Sequence, residues 1–160
     1  MTRPPFTLQR IDHVVLRVAD LERALAFYVG LLGCSLERRR PDLGLVHLRA
    51  GASMIDLVTL DGPLGRAGGA GPGAEGRNLD HVALRIDPFD APALRAHLGL
   101  PEAAVQQNFG AEGTGPSLYL QDPDGNTVEL KGPAQAALSR SRWPTCAATP
   151  SPAAWRGRPR

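Results

Sequence analysis

Ile11-Asp12-His13-Val14-Val15-Leu16-Arg17-Val18 returns, little changed, as Leu79-Asp80-His81-Val82-Ala83-Leu84-Arg85-Ile86. The shared phrase, apolar-Asp-His-Val-x-Leu-Arg-apolar, marks an internal duplication and so fixes the architecture as two copies of one module. In the first copy Val14, Leu16 and Val18 alternate with His13, Val15 and Arg17. That period of two is the mark of a half-buried strand.

Downstream of the first copy, Asp20 is a good helix N-cap, and Leu21, Ala24, Leu25, Tyr28 and Leu32 recur at helical spacing until Gly33 stops the helix. Residues 44–50 and 53–60 read as strands, with a short strand near 35–39 before them. Residues 9–60 therefore form a first βαβββ module. Residues 61–78 are Gly-rich, but no phosphate-binding pattern stands there between a strand and a helix, so they read as a linker. The second module, residues 79–132, has a strand over 79–86, a helix over 90–98 and a loop rich in Gly and Gln. It closes on a hairpin, 117–121 and 127–131, across Asp122-Pro123-Asp124-Gly125-Asn126. Residues 133–160 are rich in Ala, Ser, Pro and Arg without period and are expected to form a disordered or loosely attached tail. The expected class is α+β, with one domain over residues 1–132 built from two tandem modules.

Composition narrows the function. Of 160 residues, 42% are hydrophobic and 21% charged, as in ordinary soluble domains. The net charge of +2 comes with no basic stripe, so nucleic acid is a poor partner. No apolar run approaches the roughly 20 residues that cross a bilayer, and the N-terminus lacks a secretory signal. Cys34 and Cys146 are too few for a disulfide framework, which suits a reduced, cytoplasmic setting.

The chemistry lies on the strand faces that point away from the helices. His13 and His81 share that face with Asp56 and Glu129, the carboxylates of each module's last strand. One imidazole and one carboxylate per module, at duplicated positions, suit a divalent cation such as Zn²⁺, Ni²⁺, Mn²⁺ or Fe²⁺. His47 shares the face with Arg49 but has no duplicated partner, and His97 reads as a surface helix residue.

At these residues the chain resembles the vicinal oxygen chelate superfamily of glyoxalase I, extradiol dioxygenases, and fosfomycin or bleomycin resistance proteins. The matching segments are IDHVVLRVADLERALAFYVGLLG, SMIDLVTL, NLDHVALRI and SLYLQDPDGNTVEL. The resemblance implies a half-open curved sheet around one metal ion, with His13, His81 and Glu129 as ligands and Asp56 as the fourth. It implies a homodimer acting on a small molecule such as a glutathione adduct. The activity expected first is that of a lactoylglutathione lyase: the metal stabilises an enediolate while Glu129 or Asp56 serves as base. Arg17, Arg49 and Arg85 would grip substrate, and Tyr119 would donate to a substrate oxygen. Glyoxalase I carries Glu where this chain has Asp56. The alternatives are an extradiol-type dioxygenase on the His-His-Glu triad, or a non-catalytic small-molecule-binding or resistance protein. A fosfomycin transferase ranks lower, because Val15 replaces the hydroxyl expected two residues after its His.

Overall fold

The computed structural model describes residues 4–135 apart from 74 and 76; beyond Gln135 the expected tail lies outside the described residues. In chain order the elements are β1 (His13–Val18), α1 (Leu21–Leu25) running into a π-helical turn (Ala26–Leu31), β2 (Ser35–Arg40), β3 (Leu45–Ala50), β4 (Ser53–Thr59), α2 (Pro63–Ala67), β5 (His81–Arg85), α3 (Ala91–Leu98), β6 (Gln106–Gly110), β7 (Gly113–Gln121) and β8 (Thr127–Lys131). Among the described residues these strands make two four-stranded mixed sheets, ordered β1-β4-β3-β2 and β5-β8-β7-β6. The tandem βαβββ reading is thus the observed architecture, and no closed barrel forms. In each sheet the first strand lies parallel to the last and occupies an edge.

Helix α1 begins at the cap that the sequence indicates, and α3 begins on an aspartate in the same way. Asp20 accepts from the Arg23 amide, and Asp90 accepts from the Ala93 amide, relieving one orphan donor at each start. The first helix does not stay α-helical to Gly33. The Leu32 amide bonds to Phe27 O, one residue farther back than an α-helix reaches, and a π-helical turn results. Phe27 and Tyr28 are both buried within it.

Two further departures concern module two and the linker. Residues 106–110, read as part of a loop, form β6. Their Gln-Gln-Asn-Phe-Gly sequence shows no apolar alternation because β6 is an edge strand, with Phe109 85% exposed. β7 likewise begins at Gly113 rather than 117. Its Gly115 admits the backbone of Pro133, whose carbonyl would lie 2.4 Å from a Cβ there. The linker contains α2 and is fastened at both ends. Arg17 donates to the carbonyls of Gly65, Gly68, Gly69 and Ala70. Arg77 donates to those of Asp124 and Gly125.

One hydrophobic core joins the modules. Leu16, Val18, Tyr28, Leu48 and Leu57 pack in one cluster with Leu120, Val128 and Leu130. Each fully buried aliphatic side chain among them contributes about 1.5–3 kcal/mol. A buried polar contact crosses the same boundary: Tyr28 Oη donates to Asp122 Oδ2 at 2.8 Å. Burial and the Asp122 carboxylate together hold the Tyr28 phenol far above its usual pKa, so it stays a donor. The turn bearing Asp122 needs Gly125, whose φ of +76° places it in the left-handed region.

Candidate metal centre

The strand registers place the expected residues on one face of each sheet. His81 stands at the start of β5, and Glu129 on β8 lies opposite Ala83, two residues on. The same offset holds in module one, where Asp56 lies opposite Val15, two residues after His13. Burial separates the groups by type. The side chains of Glu129 and Asp56 are only 6% and 9% exposed, whereas those of both histidines are substantially open. A carboxylate so withdrawn from water needs donors or a cation.

Module two is the more complete half. Glu129 Oε2 lies 3.1 Å from His81 Nε2, and Ser117 Oγ donates to Glu129 Oε1. Lys131 Nζ backs Ser117 at 3.3 Å and also donates to the carbonyls of Asn108 and Gly115. Tyr119 lies opposite Glu129 in register and packs edge-on against the His81 ring. Burial, and then the Glu129 charge, push its phenol above the ordinary range, so it remains protonated. Of these groups His81, Glu129 and Lys131 open on a cavity of about 260 Å³, lined also by Ala83, Arg85 and Phe109. A larger groove, about 360 Å³ between α1 and β2, carries neither a His nor a paired donor set.

In module one His13 is the open residue, and Asp56 bonds instead to His47, with Nδ1 2.8 Å from Oδ1. Among the described residues, no three of the His, Cys, Asp and Glu groups converge on a single metal position. His81 and Glu129 therefore meet within the chain, while Asp56 is paired with His47 and not with His13.

The duplicated Asp-His dipeptide acquires a meaning that the pattern alone did not disclose. Asp12 Oδ1 lies 2.9 Å from His13 Nδ1, and Asp80 Oδ1 lies 2.7 Å from His81 Nδ1. A carboxylate can only accept, so each Nδ1 carries a proton and each Nε2 bears the lone pair that a metal would take. His81 thus has carboxylates at both ring nitrogens, an arrangement that a proton or a divalent ion satisfies at Nε2. By this donor chemistry the residues fit the expected ion. Asp12 holds the His13 imidazole above its usual pKa, so protons would compete with a metal there in mildly acidic solution. Asp80→Asn, and Asp12→Asn less so, should each weaken metal binding by about tenfold or more in a metal titration. An unchanged affinity would remove these carboxylates from the account.

The arginines expected at the substrate are placed differently. Arg17 is turned into the linker, Arg49 pairs with Glu37 at 3.3 Å, and Arg85 lines the cavity while paired with Glu112 at 2.8 Å. His97 bonds to Leu31 O and ties α3 to the end of the π-helical turn.

Known proteins share this organisation. The chain is 30% identical over 127 residues to Virulence protein STM3117 of Salmonella typhimurium, covering 77% of this chain and 83% of that protein. It is 28% identical over 142 residues to human mitochondrial methylmalonyl-CoA epimerase, covering 82% of this chain and 78% of the relative. The crystal structure of lactoylglutathione lyase from Agrobacterium tumefaciens superposes with a TM-score of 0.55 at 24% identity, covering 81% of this chain and 96% of that one, which speaks to the fold. The profile of the Glyoxalase/Bleomycin resistance protein/Dioxygenase superfamily matches residues 10–130, and this chain, with its duplicated βαβββ modules, belongs to that superfamily.

Proposed function

We propose that the protein is a divalent-metal-dependent isomerase of the lactoylglutathione lyase type, moving a proton between carbons beside a carbonyl. The observation that carries this reading is the pairing of His81 Nε2 with the buried Glu129 carboxylate, each fixed from behind by Asp80 or Ser117. His13, His81, Glu129 and Asp56 are the ligands. The bound ion supplies electrophilic assistance to a substrate carbonyl, which acidifies the neighbouring carbon. Glu129 and Asp56 are the two groups able to take and return the carbon-bound proton. Tyr119 stays protonated and donates to a substrate oxygen. Arg85, at the cavity wall, supplies positive charge for an anionic substrate end.

The two half-sites are completed in a homodimer. Supporting this, the four ligands do not converge within one described chain, and both β1 and β5 are edge strands. Val15, between the His13 and Arg17 positions, is 51% exposed on the site face of β1. If module one of one subunit meets module two of the other, mixing His13→Ala with His81→Ala protein restores part of the metal binding that each lacks. No recovery after subunit exchange, in a protein shown to be dimeric, places each site within one chain.

A second reading is epimerisation of an acyl thioester, favoured by the identity with methylmalonyl-CoA epimerase over most of the chain. Both reactions remove a proton next to a carbonyl. The test is turnover of the methylglyoxal–glutathione hemithioacetal and of methylmalonyl-CoA in D₂O, beside oxygen uptake with catechols. Proton movement at carbon in either of the first two supports the isomerase class. Oxygen uptake without it supports a dioxygenase, and neither, with tight ligand binding, supports a binding protein.

A further inference from the structure

We propose that His47 is a positioning residue, which fixes Asp56 for the metal and does in module one what Ser117 does for Glu129 in module two. This rests on the reading of a divalent centre above. The register supports it first. His47 on β3 lies opposite Asp56 on β4, and Tyr119 on β7 lies opposite Glu129 on β8. One step along, Ser117 lies opposite Lys131, and the matching place in module one is Leu45 opposite Val58. The duplication has therefore replaced the hydroxyl that holds Glu129 with an aliphatic chain, and His47 stands where the phenol stands.

Geometry supports it second. His47 Nδ1 is 2.8 Å from Asp56 Oδ1, and because the carboxylate can only accept, His47 donates. Asp56 is nearly buried, so this bond supplies part of the solvation that its charge has lost. With Oδ1 engaged, Oδ2 is the oxygen left to ligate, and the aspartate acts as a one-oxygen ligand of set direction. Such outer partners govern ligand orientation and affinity. The sequence places His47 on the site face with Arg49, but its partner lies across the sheet and not at a duplicated position, so its contact with Asp56 is not legible there.

The test is a Co²⁺ titration of the full chain followed by visible absorption. The variants are His47→Phe, which keeps a ring without the donor, and His47→Asn, which returns an N–H near Nδ1. Each is made alone and with Asp56→Ala. His47→Phe is expected to weaken Co²⁺ binding by about 10- to 100-fold and to shift the absorption bands. His47→Asn is expected to recover most of both. In the Asp56→Ala background His47→Phe should cost nothing further, because it acts through Asp56. Should His47→Phe fail to fold, His47→Ala is read the same way. Unchanged affinity and bands in His47→Phe, an equal loss without Asp56, or an Asp56→Ala protein with wild-type affinity would each overturn the proposal while leaving a metal centre standing. A wild-type protein that binds no Co²⁺ would overturn both.

Discussion

His81→Ala is expected to lower metal affinity by more than about a hundredfold and to remove turnover with it, since a lost ligand costs more than the 10- to 100-fold of a lost outer partner. Both ring nitrogens of His81 are engaged. Its Nδ1 is held by Asp80, and its Nε2 faces the buried Glu129 carboxylate. Removing the ring leaves Glu129 withdrawn from water with Ser117 on one oxygen and no nitrogen beside the other. The fold should survive, because the ring lies on the open face of β5 and outside the common core. A thermal melt close to wild type, with metal lost, is the expected pair of results. A variant that keeps its metal would show that Glu129 and the module-one groups suffice without it.

Asp122→Ala should have the largest effect on stability, a loss of about 3–5 kcal/mol measured by chemical denaturation. The carboxylate is buried and accepts from the Tyr28 hydroxyl, the amides of Asp124 and Asn126, and the Asn126 side chain, at 2.7–2.9 Å. Alanine leaves these donors unpaired, including a fully buried phenol from the other module. Tyr28→Phe removes one donor and leaves the turn intact, so it should cost about 1.5–3 kcal/mol. If Asp122→Ala lost less than Tyr28→Phe, the turn would not depend on the carboxylate and the link between modules would lie in the apolar core.

The duplicated strand, the helix caps and the closing hairpin were legible in the chain because each is written in local pattern. Alternation set β1 and β5, Asp20 marked the first helix, and Pro123 with Gly125 marked the turn. The placement of Asp56 and Glu129 on one face of each sheet was legible because strand alternation assigns a face. What escaped was set by contacts distant in sequence or by position at an edge. β6 has no apolar face to betray it, and the π-helical turn rests on the bond from the Leu32 amide to Phe27 O, which no local pattern announces. Arg17 has the strand position of Arg85, yet the linker carbonyls claim it in place of substrate. Asp12 and Asp80 were plain in the repeated phrase, but their role needed the 2.9 and 2.7 Å contacts to the imidazoles. The duplicated phrase therefore encodes each imidazole together with the carboxylate that orients it.

The central claim is that two unequal half-sites, His13 with Asp56 and His81 with Glu129, make one metal centre. Its most direct test is the stoichiometry of tight Co²⁺ binding to the wild-type chain, counted by titration. One ion per chain, lost in both His13→Ala and His81→Ala, is the result expected. No ion, or two ions lost independently in the two variants, would contradict it.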